Sequence, residues 1–349
     1  MGSAAVHQAE VVLDDSVIVA PYDFRFQLRH YVVAPESRED ENLVEIVRLR
    51  TGRVVRVEVV SLGTVEAPRL RLGFASHGPL SPNDVEEARE LISWRLGLAE
   101  DLGPFYALAE ADRVLSASIE YNFGAKGKSS FTLFDGVIDV ICAQNTAFRR
   151  MYEMRANLAR AFGDPFEAGR VYHASPTPEQ LATAPLEAIR ACKVGYRDRF
   201  IQGVARAVTD GLDLEAVKRL PREQARAELM RLPGVGPYTA DLGLIIGARR
   251  QDALFLDVYM KEVLRAFYFD GEPAAEEELA RFAEARWGLH RGLAWLYLST
   301  NTEAWAERLG IAFRLKSGAL NEADPPRAGN PRGWVRETKQ RRRREDGGD

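Results

Sequence analysis

Residues 232–241 read Leu-Pro-Gly-Val-Gly-Pro-Tyr-Thr-Ala-Asp and could form an anion site. The Pro-Gly pair ends a preceding amphipathic run, and Gly-Pro begins another, since proline suits the first turn of a helix. Two helices joined by so short a glycine-rich hairpin leave backbone N–H groups pointing outward at a positive helix end. The stretch therefore predicts a cradle for one phosphate. Its residues are Leu232, Pro233, Gly234, Val235 and Gly236.

Asp257 is a carboxylate in largely apolar company, placed at a predicted helix N-terminus after the hairpin. It follows the stretch Ala253–Leu256 and heads an amphipathic run from Val258 to Phe269. A carboxylate in such a setting can stabilise positive charge that develops on a substrate, and it can orient or deprotonate a water. Asp257 alone would be an N-cap, and the hairpin alone a tight turn between helices. Their combination is more specific than either feature alone.

In this combination the sequence resembles the helix-hairpin-helix (HhH-GPD) DNA glycosylase superfamily, whose signature is such a hairpin followed by an essential Asp at the spacing between Gly236 and Asp257. The resemblance implies base excision repair, in which a damaged base is flipped out of duplex DNA and released. It makes Asp257 the catalytic residue. Cys142 and Cys192 are too few for the four-Cys cluster of the iron–sulfur members, and we expect no cofactor and no metal.

Two further segments resemble the parts with which 8-oxoguanine glycosylases fill the gap left by a flipped base. The segment Ile141–Asn145 is similar to their Asn insertion loop, and Gly195–Arg197 is similar to their wedge. The alternatives are a helix C-cap for Asn145 and a core position for Tyr196. The predicted insertion and wedge residues are Gln144, Asn145, Tyr196 and Arg197. The predicted further DNA contacts are Tyr259 and Lys261.

Position 238 separates two kinds of enzyme within the superfamily. Bifunctional members place a Lys one turn into the second hairpin helix, where its amine forms a Schiff base with the sugar. Here the residue is Tyr238, and neither Lys193 nor Lys261 occupies the family position. The resemblance thus implies a monofunctional hydrolase. An aromatic pocket would suit a cationic alkylated purine. Its predicted residues are Tyr238, Phe131, Phe134, Trp287 and Trp295.

An 8-oxoguanine glycosylase remains the main alternative, because the segment Asp257–Met260 is closer to that branch. There a His occupies position 259 and a Cys occupies the position of Leu242. A mismatch thymine or uracil glycosylase, a catalytically silent lesion-binding module and a scaffold protein in a repair assembly are further alternatives. Asp257 favours an enzyme, since a binding module does not need a carboxylate in apolar surroundings beside a phosphate cradle.

The elements that must position these residues predict an α+β fold. Residues 11–98 predict a small antiparallel sheet with one helix, similar to the TBP-like domain of several such glycosylases. The strands Leu43–Arg50 and Arg53–Val60 are joined at Thr51-Gly52, and Ser81–Asp84 is a capping box that opens a helix to about Leu98. Residues 99–325 predict an all-helical, two-lobed region that carries the helix-hairpin-helix.

Residues 326–349 are Pro- and Gly-rich, basic and nearly free of apolar side chains. They predict a disordered tail, which is either merely solvated or a non-specific DNA tether.

The composition fits a soluble globular protein of 349 residues, 46% apolar and 28% charged. A net charge of −4 argues against a broad phosphate-tracking surface but not against a local basic face. No apolar run is long enough to cross a bilayer, and no signal peptide is evident. We expect a cytoplasmic monomer, nucleoid-associated in a prokaryote, whose partner is double-stranded DNA with a damaged base.

Overall fold

The computed structural model describes residues 6–29, 37–39, 41–146 and 148–313. In these ranges a five-stranded antiparallel sheet is followed by a mostly helical region, which confirms the predicted α+β class. The predicted basic tail, residues 326–349, lies outside the described residues. Across the described ranges, no helix has both the length and the apolar character needed to span a membrane.

The sheet contains the predicted hairpin. Leu43 pairs with Val59 and Arg48 with Val54, and the chain turns at Gly52, whose φ of +82° favours glycine. A short helix, α1 (Phe24–Arg29), follows the first strand. The strands are β1 (His7–Leu13), β2 (Ser37–Glu39), β3 (Asn42–Arg48), β4 (Val54–Ser61) and β5 (Leu70–Ser76), in the spatial order β1-β5-β4-β3-β2.

Helix α2 (Pro82–Leu96) begins at the predicted capping box. The Ser81 hydroxyl accepts a hydrogen bond from the Asp84 N–H at 3.2 Å, and the Asp84 carboxylate accepts one from the Ser81 N–H at 2.9 Å. The apolar residues of α2 and of one sheet face, such as Ile92 and Val57, form a separate core. This packing is what allows the alternating pattern of β4 to fold as a sheet with one buried face.

The remaining helices share one larger core. Phe26 of the N-terminal segment also packs into it, and the division of the chain at residue 98 stays a prediction. The helices are α3 (Gly103–Ala109), α4 (Arg113–Asn122), α5 (Leu133–Ala143), α6 (Phe148–Phe162), α7 (Pro178–Thr183), α8 (Leu186–Ile189), α9 (Asp198–Thr209), α10 (Leu214–Val217), α11 (Arg222–Leu229), α12 (Pro237–Ala248), α13 (Val258–Tyr268), α14 (Glu276–Trp287), α15 (Arg291–Ser299) and α16 (Thr302–Arg308).

One prediction for this region is wrong, because it is not all-helical. Strands β6 (Pro165–Ala168) and β7 (Arg170–His173) form a hairpin between α6 and α7. Phe166 and Tyr172 of this hairpin are buried against Val44 and Ala75 on the outer face of the N-terminal sheet. The hairpin is therefore stabilised by distant residues that its own short sequence does not reveal.

Candidate active site

The predicted hairpin joins α11 to α12, and its two glycines have different physical roles. Gly234 has φ +74°, and a Cβ built on it would lie 2.3 Å from Cγ of Phe200. A side chain is excluded there by both strain and space. Gly236 caps α12 with φ −96°, and a Cβ on it would point into open space. Pro237 follows at the first helical position, and the first N–H groups of α12 have no partner inside the helix.

Asn145 and Tyr196 are 51 residues apart in sequence, yet the structure brings their side chains together. The Asn145 amide donates to the Tyr196 hydroxyl at 3.4 Å. Asn145 has φ +45°, in the left-handed region that Asn tolerates better than most residues. Tyr196 is 54% exposed and rests on the Arg197 guanidinium, whose Cζ lies 4.6 Å from the ring centroid. The two side chains predicted to enter the duplex, Asn145 and Tyr196, therefore lie next to each other at the surface.

Asp257 is the N-cap of α13. Its carboxylate accepts a hydrogen bond from the Met260 N–H at 2.7 Å, and the residue is half-buried. Burial raises the pKa of Asp257 above its ordinary value, although the Met260 N–H and the Lys261 ammonium oppose that shift. Burial and the nearby Asp257 charge together raise the pKa of Tyr238 to about 12. The catalytic candidate and the first turn of α12 are therefore electrostatic neighbours.

Three aromatic rings stand in contact beside this carboxylate. Tyr238 meets Phe255 edge-to-face at 4.6 Å between ring centroids, and Phe255 meets Trp295 of α15 at 5.4 Å. Tyr238 is 40% exposed, whereas Phe255 and Trp295 are buried. Phe255 is not among the pocket residues predicted from the sequence. The signal that could have found it is its place as the one aromatic residue in the apolar stretch before Asp257.

A comparison with known families identifies this arrangement. The sequence profile of the HhH-GPD superfamily of base excision DNA repair proteins matches residues 138–289. This range includes Asn145, Tyr196, the hairpin and Asp257. Residues 138–289 of the chain are an HhH-GPD region.

Relatives of this HhH-GPD protein span much of its length. A probable N-glycosylase/DNA lyase of Methanothermobacter thermautotrophicus is 27% identical over 66% of this chain and 78% of that protein. A putative DNA-3-methyladenine glycosylase of Bacillus subtilis is 24% identical over 82% of this chain and 98% of that protein. The structure of a 3-methyladenine DNA-glycosylase from Archaeoglobus fulgidus is 21% identical, with a TM-score of 0.71 over 82% of this chain and 97% of that one. This likeness shows that the fold is shared.

Two residues that were predicted to enter the duplex have internal partners in the HhH-GPD protein. The Gln144 amide donates to the Gly234 carbonyl and to the Thr239 hydroxyl, both at 2.8 Å. Arg197 is only 7% exposed and donates to the carbonyls of Ile141, Val194 and Gln144. Their role as insertion residues stays a prediction; in this structure their donors hold the loops and the hairpin in place.

The residues predicted for the base pocket lie in different surroundings. Trp287 is fully buried, its indole N–H donates to Asp112 at 3.3 Å, and its ring packs against Tyr268, so it belongs to the core. Phe131 packs against the sheet core with the Arg95 guanidinium 4.6 Å from its ring centroid, and Phe134 is buried in the larger core. Pocket roles for these two phenylalanines stay predictions. The contacts of Tyr238 and Trp295 with Phe255 favour these three rings as the pocket wall.

Two predicted DNA contacts on α13 have protein partners. Tyr259 is buried, and its hydroxyl donates to the Thr302 hydroxyl. Its role as a DNA contact stays a prediction. The Lys261 ammonium bonds Glu276 at the exposed start of α14. Among the described residues, no group of three His, Cys, Asp or Glu side chains is arranged to hold a metal ion.

Proposed function

We propose that this HhH-GPD protein is a monofunctional DNA glycosylase that hydrolyses the N-glycosidic bond of a damaged, preferably alkylated, purine. One observation carries the proposal. The half-buried carboxylate of Asp257 lies beside the aromatic side chain of Tyr238. Tyr238 occupies the position in the second hairpin helix at which a lyase would need an amine. The 3-methyladenine glycosylases among the relatives support this substrate class.

In this proposal each part of the site has its own step. Backbone N–H groups at Gly236 and the start of α12 would hold one phosphate of the damaged strand. Asn145 and Tyr196 would fill the gap in the duplex, since a base must leave the stack before it can be cut. Tyr238, Phe255 and Trp295 would form the wall against which the flipped base stacks.

Asp257 would then act on the sugar. The ionised carboxylate stabilises positive charge that develops as the bond to the base breaks, and it directs water to the sugar carbon. The Met260 N–H holds the carboxylate in place through one oxygen, which leaves the other oxygen available for the reaction. The damaged base leaves with the bonding electron pair as the water oxygen bonds to the sugar carbon. One water proton passes to the Asp257 carboxylate and then to solvent, which leaves a hydroxyl on the sugar.

Strand cleavage distinguishes this proposal from a lyase. We expect duplexes that each carry one lesion to yield an intact abasic strand, cut only after alkali, and we expect borohydride to trap almost no covalent complex. The reason is that Tyr238 cannot form an imine, while Lys261 is paired with Glu276. The measurement is denaturing electrophoresis with and without alkali or borohydride.

A lyase acting on 8-oxoguanine is the second candidate, favoured by the paired Asn145 and Tyr196 and by the relative named N-glycosylase/DNA lyase. Efficient borohydride trapping on an 8-oxoguanine duplex, lost in Lys261→Met or Lys193→Met, would establish it in place of the hydrolase.

Phe255 provides a test of the aromatic wall. We expect Phe255→Leu to lower kcat/KM for excision by about 10-fold to 100-fold, because Tyr238 loses the ring that fixes it beside Asp257. Affinity for undamaged duplex should change little. Phe282→Leu is the matched control, since Phe282 contacts the rings of Tyr268 and Trp287 in a different aromatic cluster. Equal losses in both variants would show that stability, and not positioning, explains the effect.

A further inference from the structure

Gln144 follows α5 directly, and its half-buried side chain turns toward the α11–α12 hairpin. Its amide donates to the Gly234 carbonyl and to the Thr239 hydroxyl, both at 2.8 Å. Gly234 lies in the hairpin, and Thr239 is the third residue of α12. One amide group therefore connects the end of α5 both to the hairpin and to the helix start that would hold a phosphate.

A second series of contacts reaches the same glycine through the wedge segment. The Asn145 amide donates to the Tyr196 hydroxyl at 3.4 Å, and the Tyr196 ring meets the Phe200 ring edge-to-face at 6.0 Å between centroids. Phe200 lies against Gly234, since a Cβ built on that glycine would lie 2.3 Å from the Phe200 Cγ. Gln144 is the chain neighbour of Asn145 and closes the series. The five residues therefore form a closed ring of contacts.

The hairpin has little freedom to shift within this ring. Helix α9, which carries Phe200, also contacts the hairpin at Gly203, where a Cβ would lie 2.8 Å from Cγ of Pro233. Apolar packing of this kind limits the approach of two elements but is not directional, whereas a hydrogen bond has a preferred distance and angle. The two bonds of the Gln144 amide therefore fix the position of the hairpin along α9.

The two ends of the ring would act on one duplex. The hairpin would hold a phosphate while Asn145 and Tyr196 enter the base stack, so the spacing between these parts of the protein must match the DNA. A misplacement of about 1 Å can lower a rate about 100-fold. Such spacing is set by neighbouring hydrogen bonds and packing, to within about 0.5 Å.

On the basis of the proposed function, we propose that Gln144 is a positioning residue, which fixes the hairpin relative to Asn145 and Tyr196. In this role its amide stays inside the protein while Asn145 enters the duplex. Phosphate binding and insertion are then coupled, because neither part can move without breaking the bonds of the amide. Once those bonds are lost, each part contributes independently to DNA binding.

A double-mutant cycle measures this coupling. Asn145→Ala removes an inserted side chain, and Gly236→Ala places a methyl group where a phosphate would approach. Fluorescence anisotropy gives the affinity of each single variant and of the pair for a duplex with a stable abasic analogue. In the parent, the combined loss of affinity should be smaller than the product of the separate losses by about 3-fold or more, because either change alone impairs both parts.

The same cycle is then repeated in Gln144→Met, which keeps the length of the side chain and removes both donors. There the combined loss should equal the product of the separate losses. Gln202→Met is the matched control. The buried Gln202 amide also donates to a backbone carbonyl, that of Ala184 at 2.7 Å, but it lies outside the ring. Its coupling should remain that of the parent.

Three results would each overturn the positioning role: independent losses in the parent, unchanged coupling in Gln144→Met, or an equal loss of coupling in Gln202→Met. The cycle measures binding alone. A parent that excises no base from lesion duplexes would therefore count against the proposed function and not against this role.

If Gln144→Met does not fold, the acceptor side of the bond is changed instead. Thr239→Val removes the hydroxyl that accepts from Gln144, and Thr239→Ser keeps it. Loss of coupling in Thr239→Val with normal coupling in Thr239→Ser supports the role, and equal coupling in the two variants overturns it.

Discussion

Replacement of Asp257 by Asn should lower base excision on the order of 1,000-fold while leaving the fold and duplex binding nearly intact. Asn keeps the shape and can still cap α13 by accepting from the Met260 N–H, so only the charge that stabilises the sugar is removed. Single-turnover excision and anisotropy on the same lesion duplex measure the two effects. Excision by the variant at the parent rate would show that Asp257 is not the catalytic group.

The same substitution has an expected effect on stability, with a definite sign. Burial raises the pKa of Asp257, so the folded state binds more protons than the unfolded state between the unfolded pKa, about 3.9, and the raised folded pKa. The free energy of unfolding therefore falls as pH rises through that window. Above it, Asp257→Asn should have a higher Tm than the parent, and the acidic limb of the parent's pH–rate profile should lie above an ordinary Asp pKa.

Asp252 provides a matched control of opposite sign. Burial is the largest single influence and acts to raise its pKa, but the hydrogen bonds from Arg250, at 2.7 and 2.8 Å, together with the charges of Arg250 and Arg222, lower that pKa overall. Asp252→Asn should therefore lower the Tm at neutral pH. A Tm that moves in the same direction in both variants would contradict this account of Asp257.

Alanine at Gly234 and alanine at Gly236 should have different effects, although their sequence context is alike. Gly234→Ala should destabilise the protein by about 2–4 kcal/mol, since it adds a positive-φ side chain and a clash with Phe200. Gly236→Ala should leave the Tm unchanged, because its Cβ meets open space. It should still weaken binding of damaged and undamaged duplexes alike, since the methyl group stands where a phosphate would approach.

Thermal unfolding and anisotropy with both kinds of duplex separate these effects. Parent-like DNA affinity in Gly236→Ala would mean that phosphate does not approach this turn. A loss of affinity confined to duplexes with one kind of lesion would indicate that the hairpin is part of the base pocket.

The features that sequence predicted well depend on local chemistry. The turn at Gly52, the capping box at Ser81 and the Gly-Pro start of α12 are each specified by adjacent residues whose backbone preferences are strong. Asp257 at the head of α13 belongs to the same class, because an N-cap is a property of its own few residues.

The features that sequence did not predict depend on distant partners. The strands of the β6–β7 hairpin are four residues each, and their stability comes from Val44 and Ala75, far away in the chain. The face of α14 that Trp287 occupies is set by Asp112, which the helical pattern does not reveal. A buried Arg such as Arg197 is rare, so sequence reasoning placed it at the surface.

Arg197 also fixes the two loops that carry Asn145 and Tyr196, so that these loops lose their conformational entropy when the protein folds. Its guanidinium bonds carbonyls on both sides, at Ile141 and Gln144 before Asn145 and at Val194 before Tyr196. Fixing a residue's backbone costs about 1–2 kcal/mol, and here that cost falls in folding and not in DNA binding. Under the proposed function, Asn145 and Tyr196 are held rigidly, so the DNA duplex must distort when they bind. The duplex distorts most readily where a lesion has already weakened base pairing. Mechanical weakness of the DNA would then select damaged sites before any base reaches Tyr238.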